Sequence, residues 1–258
     1  MSGSLAVALW AEVLKLRRSR VAWLTAAAMA LAPLLGALLV FALRHPATTG
    51  LLGAKASALG SADWSGFFGF LVLFDAAGGL LVFGVLTAWV FGREFSDRTA
   101  IDLLALPTPR LAIVAAKFAV IAAWSIVLTA LVLAIGLPLG AALGLPGWSA
   151  GELAGCARQL AVASVLSIVL VTPLALVASV WRGYLPAIGL MLLVMVLAQV
   201  LGQVGAGAWF PWSVPALATG VAGTAVGTAG PQSYLLVALT AIAGAALTAR
   251  WWTRADQQ

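Results

Sequence analysis

The sequence predicts an all-α polytopic membrane protein, and three observations carry that prediction. Of its 258 residues, 63% are hydrophobic and only 9% are charged, whereas a soluble domain carries about 25% charged residues. The mean hydropathy is +1.10. Apolar runs repeatedly reach the roughly 20 residues that span hydrocarbon, and lysine and arginine gather at their ends. A soluble core of this length would need polar residues to clothe its surface, so the bilayer is the solvent.

Residues 5–20, LAVALWAEVLKLRRSR, place Leu5, Leu9, Val13 and Leu16 on one helical face, while Glu12, Lys15, Arg17 and Arg18 lie elsewhere. The stretch predicts an amphipathic interface helix lying on the membrane surface. Residues 21–43 form the first span, because this run is far longer than the 7–15 residue core of a signal peptide. Further spans are predicted at 67–91, 111–137, 160–181, 184–204 and 234–251, making six in one transmembrane domain. Residues 205–233 are too interrupted by glycine and proline for a clean span and too apolar for a solvated loop. They are expected to dip into the membrane from the outer side, where irregular backbone survives only against protein or water. Trp209 and Trp212 suit the headgroup level.

Orientation follows from the basic residues, which short loops retain on the cytoplasmic side. With the N-terminus inside, the inner segments hold Lys15, Arg17, Arg18, Arg20, Arg93, Arg98, Arg110, Lys117, Arg182, Arg250 and Arg254; Lys117 is expected to snorkel from the foot of the third span. Only Arg44, Lys55 and Arg158 fall outside. The expected location is the plasma membrane, multi-pass, with both termini cytoplasmic and membrane lipid as a partner.

The net charge of +6 and a pI near 10.5 do not indicate nucleic acid, because the bases follow span ends rather than one face. A membrane enzyme needs convergent catalytic groups, and the chain has one histidine and one cysteine, His45 and Cys156. Neither a metal set nor an internal disulfide can be built from them. Ser164 and Ser167 lack a nucleophile turn and a partner histidine at depth, so they read as helix-packing residues. No GxxxxGK[ST] phosphate loop is present, so the chain is expected to bind no ATP by that motif and not to be an enzyme, with ATP hydrolysis left to a separate subunit.

Two polar features remain. Asp75 lies about two helical turns from the outer end of the second span, and an ionisable group at such depth is a functional candidate by default. It reads either as a proton, cation or substrate contact in a pathway or as a carboxyl hydrogen-bonded between helices. Gly78 and Gly79 would let a helix approach there, as would the spacings Gly136 to Gly140 and Gly140 to Gly144. The second feature is GREFSDRTAIDLLALPTPR, residues 92–110. Its Thr99, Ile101, Leu103, Leu104 and Leu106 give a short helix an apolar face, ended by Pro107 and Pro109. Arg93, Glu94, Asp97, Arg98 and Asp102 give it a mixed-sign face suited to docking on a protein.

Taken together, ExLKLRR at residues 12–18, GREFSDRT directly after the second span and LLALPTPR before the third resemble the permease subunit of ABC-2 type ABC transporters. The resemblance covers essentially the whole chain. It implies a coupling helix in the loop 92–110 that docks on a separate ATP-binding ABC subunit, with Glu94 at the position of a characteristic glutamate and Arg93, Asp97, Arg98, Thr99 and Asp102 around it. Where the family often has glycine before the threonine, this sequence has Arg98. The resemblance also implies re-entrant helices within 205–233, a pathway formed with a second permease copy or a paralogue, and a cavity between the second and fifth spans. ATP and Mg would act in the partner subunit. The expected function is therefore the membrane-spanning permease subunit of an ATP-driven exporter, and the alternative is an ion- or proton-coupled carrier using Asp75.

Overall fold

The computed structural model describes residues 2–45, 61–97, 99, 108–220 and 227–254. Among these, helices and turns build the fold and no strand occurs. Helix α1 (Ser2–Arg17) turns at Arg18 and Ser19 into α2 (Arg20–Arg44), whose N-cap Ser19 accepts a hydrogen bond from the Ala22 N–H. Then follow α3 (Trp64–Ser96), α4 (Arg110–Ala142), α5 (Ala150–Val180) and α6 (Tyr184–Gln203). The short helix α7 (Val214–Ala218) precedes α8 (Pro231–Arg254). Among the described residues six helices, α2 to α6 and α8, are long and apolar enough to cross a membrane.

Three spans run further than their apolar runs alone indicate. Helix α3 begins at Trp64 because Asp63 caps it, its Oδ1 accepting from the Gly66 N–H at 2.8 Å and from the Ser61 hydroxyl at 2.6 Å. Helix α4 passes through Pro138 and ends at Ala142; one missing N–H near a membrane helix end is readily accommodated. Helix α5 starts at Ala150, where the Ser149 hydroxyl accepts from Glu152 N–H at 3.0 Å, the first half of a capping box. At 31 to 33 residues, these helices exceed the hydrocarbon thickness and accommodate the excess by tilt or by emerging at the ends.

Glycines set the close approaches. A Cβ at Gly92 of α3 would lie 2.5 Å from Tyr184 N at the start of α6, and one at Gly84 would lie 2.8 Å from Met191 Sδ of α6. Gly136 and Gly140 of α4 face Leu71 and the Trp64 ring of α3, so that spacing does seat one helix on another. Gly144 instead occupies a left-handed turn at φ 59°, which favours glycine. Gly79 also departs from the helix-approach expectation: a Cβ there would meet Asp75 Oδ1 at 3.1 Å, so the glycine gives room to the carboxyl on its own helix. On α5, Pro173 interrupts the ladder, and the Thr172 hydroxyl lies 2.9 Å from Val169 O and 3.0 Å from Ala241 O of α8. That contact locks α5 to α8, where Gly244 admits the Pro173 backbone.

The broken segment after α6 contains two 3₁₀ turns, Gly207–Trp209 and Pro211–Ser213, and then α7. Side chains anchor it on three helices. Ser213 donates to Ala198 O of α6 at 3.2 Å, Ser233 of α8 donates to Ala208 O at 2.7 Å, and Gln159 of α5 donates to Thr219 O at 3.2 Å. These bonds satisfy irregular backbone by packing it on the bundle. Trp209 is exposed, whereas Trp212 turns partly inward instead of serving as a surface anchor.

Candidate functional site

Two polar constellations and one cavity organise the interior. The first joins α1, α3 and α4 at the end of the bundle that carries the basic residues. Helix α1 turns Ala8, Glu12 and Leu16 inward and leaves Leu5, Leu9 and Val13 exposed. Of the apolar face read from the sequence, Leu5, Leu9 and Val13 are exposed, while Leu16 is buried with Glu12 against the bundle. Glu94, in the last turns of α3, is also buried, with 4% exposure. Between them stands Lys117 of α4, at 0% exposure. Its Nζ lies 3.1 Å from Glu12 Oε2, 3.1 Å from Glu94 Oε1 and 2.9 Å from the Val90 carbonyl. Lys15 completes the group, reaching Glu12 Oε1 at 2.9 Å and Glu94 Oε1 at 2.7 Å.

Two carboxylates and two ammonium groups thus alternate in one cluster with no net charge. Pairing is what makes the burial of Lys117 tolerable, since an uncompensated charge there would cost several kcal/mol or about that order. Burial disfavours the Lys15 charge, but the Glu12 and Glu94 carboxylates outweigh it and raise its pKa above the ordinary lysine value. The cluster also reaches the following loop. The Thr99 hydroxyl donates to Glu94 Oε2 at 2.8 Å, and Thr99 N–H donates to Glu94 O at 2.9 Å.

These positions revise the mixed-sign docking face read from the sequence. Glu94 points into the chain and holds α1 and α4, while Arg93 and Asp97 stay at the surface and pair with each other at 2.9 Å. Arg93 also lies 5.0 Å from the centroid of the Trp89 ring. Lys117 does not snorkel; it is the centre of the cluster. Arg17 and Arg18 are exposed. Arg98, Asp102 and residues 100–107, where the coupling helix is expected, lie outside the described residues.

The second constellation surrounds Asp75, at 0% exposure. A π-helical turn, Asp75–Gly79, interrupts α3; such turns widen the helix locally and recur at functional sites. Thr129 of α4 donates to Asp75 Oδ1 at 3.3 Å, and Ser164 of α5 donates to Oδ2 at 3.0 Å. The two hydroxyl oxygens are themselves 2.6 Å apart. Asp75 therefore ties three spans together, and among the described residues no lysine or arginine pairs with it. Ser167, one turn from Ser164, is buried with no hydrogen-bond partner among the described residues.

The cavity, of about 340 Å³, lies between α3, α6 and the broken segment. Leu73, Ala76, Ala77 and Leu80 form the α3 wall, and Asp75 is not on it. Met195, Gln199 and Gln203 face it from α6, and Trp212 and Ser213 line it from the broken segment. The Trp212 Nε1–H is buried without a partner among the described residues. An apolar chamber with a few hydrogen-bonding groups suits an amphipathic occupant.

Sequence reasoning missed Thr129 and the role of Lys117. A lysine inside an otherwise apolar span was the available signal, since a charge at depth requires a partner.

Residues 8–198 match the family described as ABC-2 family transporter protein, a stretch containing both polar constellations. The chain is 26% identical over 179 residues to the bacitracin transport permease protein BCRB of Bacillus licheniformis, covering 69% of this chain and 85% of that protein. No solved structure matches the chain. Six apolar helices and a family match across most of the chain lead to one assignment: this multi-pass membrane protein belongs to the ABC-2 transporter family and is a transporter permease subunit.

Proposed function

We propose that the chain is the permease of an ATP-driven exporter, that it works as a pair with a second permease copy or paralogue, and that a separate ABC subunit binds ATP and Mg. The observation that carries this reading is the cluster of Glu12, Lys15, Glu94 and Lys117. It joins the loop after α3, through Thr99, to the interface helix and to α4. A push delivered at that loop has a stiff, charge-paired route into three helices. ATP closure favours one arrangement of the permeases only if the partner binds the two arrangements unequally. The bias of lysine and arginine toward this end supports a cytoplasmic position for it and for both termini, in a plasma-membrane protein.

The relative's name refers to bacitracin transport, and the apolar cavity beside Gln199, Gln203 and Trp212 is consistent with an amphipathic cargo crossing between α3 and α6. The alternative, an ion- or proton-coupled carrier using Asp75, has weaker support because the carboxyl is enclosed by hydroxyls and does not line the cavity.

The test is to purify the chain with an ABC ATPase carrying GxxxxGK[ST] and to measure hydrolysis in lipid for wild type, Glu94→Ala and Thr99→Val. Glu94→Ala is expected to lose assembly or coupled hydrolysis. Thr99→Val should keep the fold and assembly while lowering cargo-stimulated hydrolysis severalfold. Failure of the wild type to bind any such ATPase would overturn the reading and favour the gradient-driven carrier.

A further inference from the structure

A groove of about 610 Å³ opens at the basic end of the bundle, between α1, the turn into α2, the end of α3 and the start of α6. Lys15, Arg18, Arg20 and Arg93 line it, with Asp97 as the acidic member. That carboxylate is engaged by Arg93 at 2.9 Å, and Lys15 is balanced within the buried cluster. Arg18 and Arg20 are exposed, and neither guanidinium has an ion-pair or hydrogen-bond partner among the described residues. Among the described residues the groove thus carries two uncompensated guanidinium groups, and guanidinium binds phosphate oxygens bidentately better than any other side chain.

The remaining walls indicate what holds the phosphate. Trp10, Trp89 and Tyr184 line the same groove, and such aromatic residues settle at the headgroup level of a bilayer. Trp10 is 67% exposed, and one turn into α2 Trp23 is 76% exposed. Beyond Trp23, α2 presents exposed Leu24 and Leu31 along its length, an apolar track leading from the groove toward the hydrocarbon. A soluble anion would use the arginines and leave the aromatic wall and this track unoccupied.

We infer that this groove binds the phosphate headgroup of an anionic phospholipid, with Arg18 and Arg20 as its principal contacts and the acyl chains lying along α2. The inference rests on the membrane-embedded fold and is independent of the ATP-coupling reading. Attraction of lysine and arginine to anionic lipid acts over the few ångströms at the membrane surface where this groove lies.

Native mass spectrometry of the delipidated full chain, titrated with phosphatidylglycerol, phosphatidylcholine and inorganic phosphate, tests it. The wild type should retain phosphatidylglycerol well above phosphatidylcholine. Arg18→Gln with Arg20→Gln should weaken phosphatidylglycerol binding about thirtyfold, the loss expected for two basic contacts at a membrane surface. Arg250→Gln with Arg254→Gln, neutralised at the same end of the bundle, should bind like wild type, and unchanged thermal unfolding of both double variants excludes misfolding as the cause. Equal retention of the two lipids would overturn the inference, as would wild-type phosphatidylglycerol binding by the Arg18/Arg20 variant. Inorganic phosphate binding as tightly as phosphatidylglycerol, and lost in that variant, would reassign the groove to a soluble anion and overturn the lipid reading.

Discussion

Glu94 and Asp75 lie on the same helix, are both buried, and are solved by opposite means. Around Glu94 the chain gathers a second acid and two lysines from two other helices, so charge is matched with charge. Around Asp75 it supplies only the hydroxyls of Thr129 and Ser164 and the widened turn of a π-helix. The difference tracks position. The first site lies near the basic end, where Lys15 is one-third exposed and water is near; the second lies at mid-span, where a lysine would bring its own desolvation cost. A paired cluster is stiff and punishes the loss of any member, whereas a small hydroxyl ring tolerates neutral replacements of the same shape.

The largest break in that contrast should come from Lys117→Met. It removes the central cation and leaves Glu12 and Glu94 facing each other with only Lys15, at an expected cost of about 3–5 kcal/mol. Thermal unfolding in lipid or detergent should show a strong loss of stability. Adding Glu94→Gln should recover part of it, because the second change removes the uncompensated acid. A double-mutant cycle with coupling in the range of about 0.5–3 kcal/mol would confirm a shared network. Strict additivity would mean that the four groups act separately.

Gly92→Ala separates packing from charge at the same end. The added methyl would enter the space now held by the Tyr184 backbone, and a backbone atom cannot rotate away as a side chain can. Overpacking of this kind costs about 1–3 kcal/mol. The variant should unfold at lower temperature yet leave the Lys117 and Glu94 coupling intact. If it abolishes that coupling as well, the contact between α3 and α6 is part of the cluster's geometry.

How much of this was legible in the sequence depends on whether the relevant physics is local. The apolar runs displayed the six spans because length and hydropathy act within a segment. The helix starts at Trp64 and Ala150 were also written locally, in Asp63 and in Ser149 three residues before Glu152, but the weaker hydropathy of the first turns hid them. Glu12 looked like part of a solvated face because periodicity gives a face without saying what it meets. Its pairing with Lys117 joins residues more than a hundred positions apart, and only the packing of α1 on α4 reveals it. Thr129 carried no signal at all, since a threonine in a span usually bonds its own backbone.

The smallest effect should come from Asp75→Asn, and it defines the other side of the comparison. The ring of Asp75, Thr129 and Ser164 has three contacts. The amide keeps one oxygen for the Ser164 hydroxyl, and its Nδ2–H can donate to Thr129, whose own hydrogen then serves the 2.6 Å contact with Ser164. No counter-charge is left behind, so the change should cost under about 1 kcal/mol, whereas Asp75→Leu strands the hydroxyls and should cost about 1–3 kcal/mol. Thermal unfolding of the two variants side by side measures the gap. Cargo transport assayed for the same variants then decides function: Asp75→Asn retaining transport makes the ring a structural tie between α3, α4 and α5. Loss of transport with the fold intact would move the working chemistry of the permease from the charged cluster to the Asp75 ring.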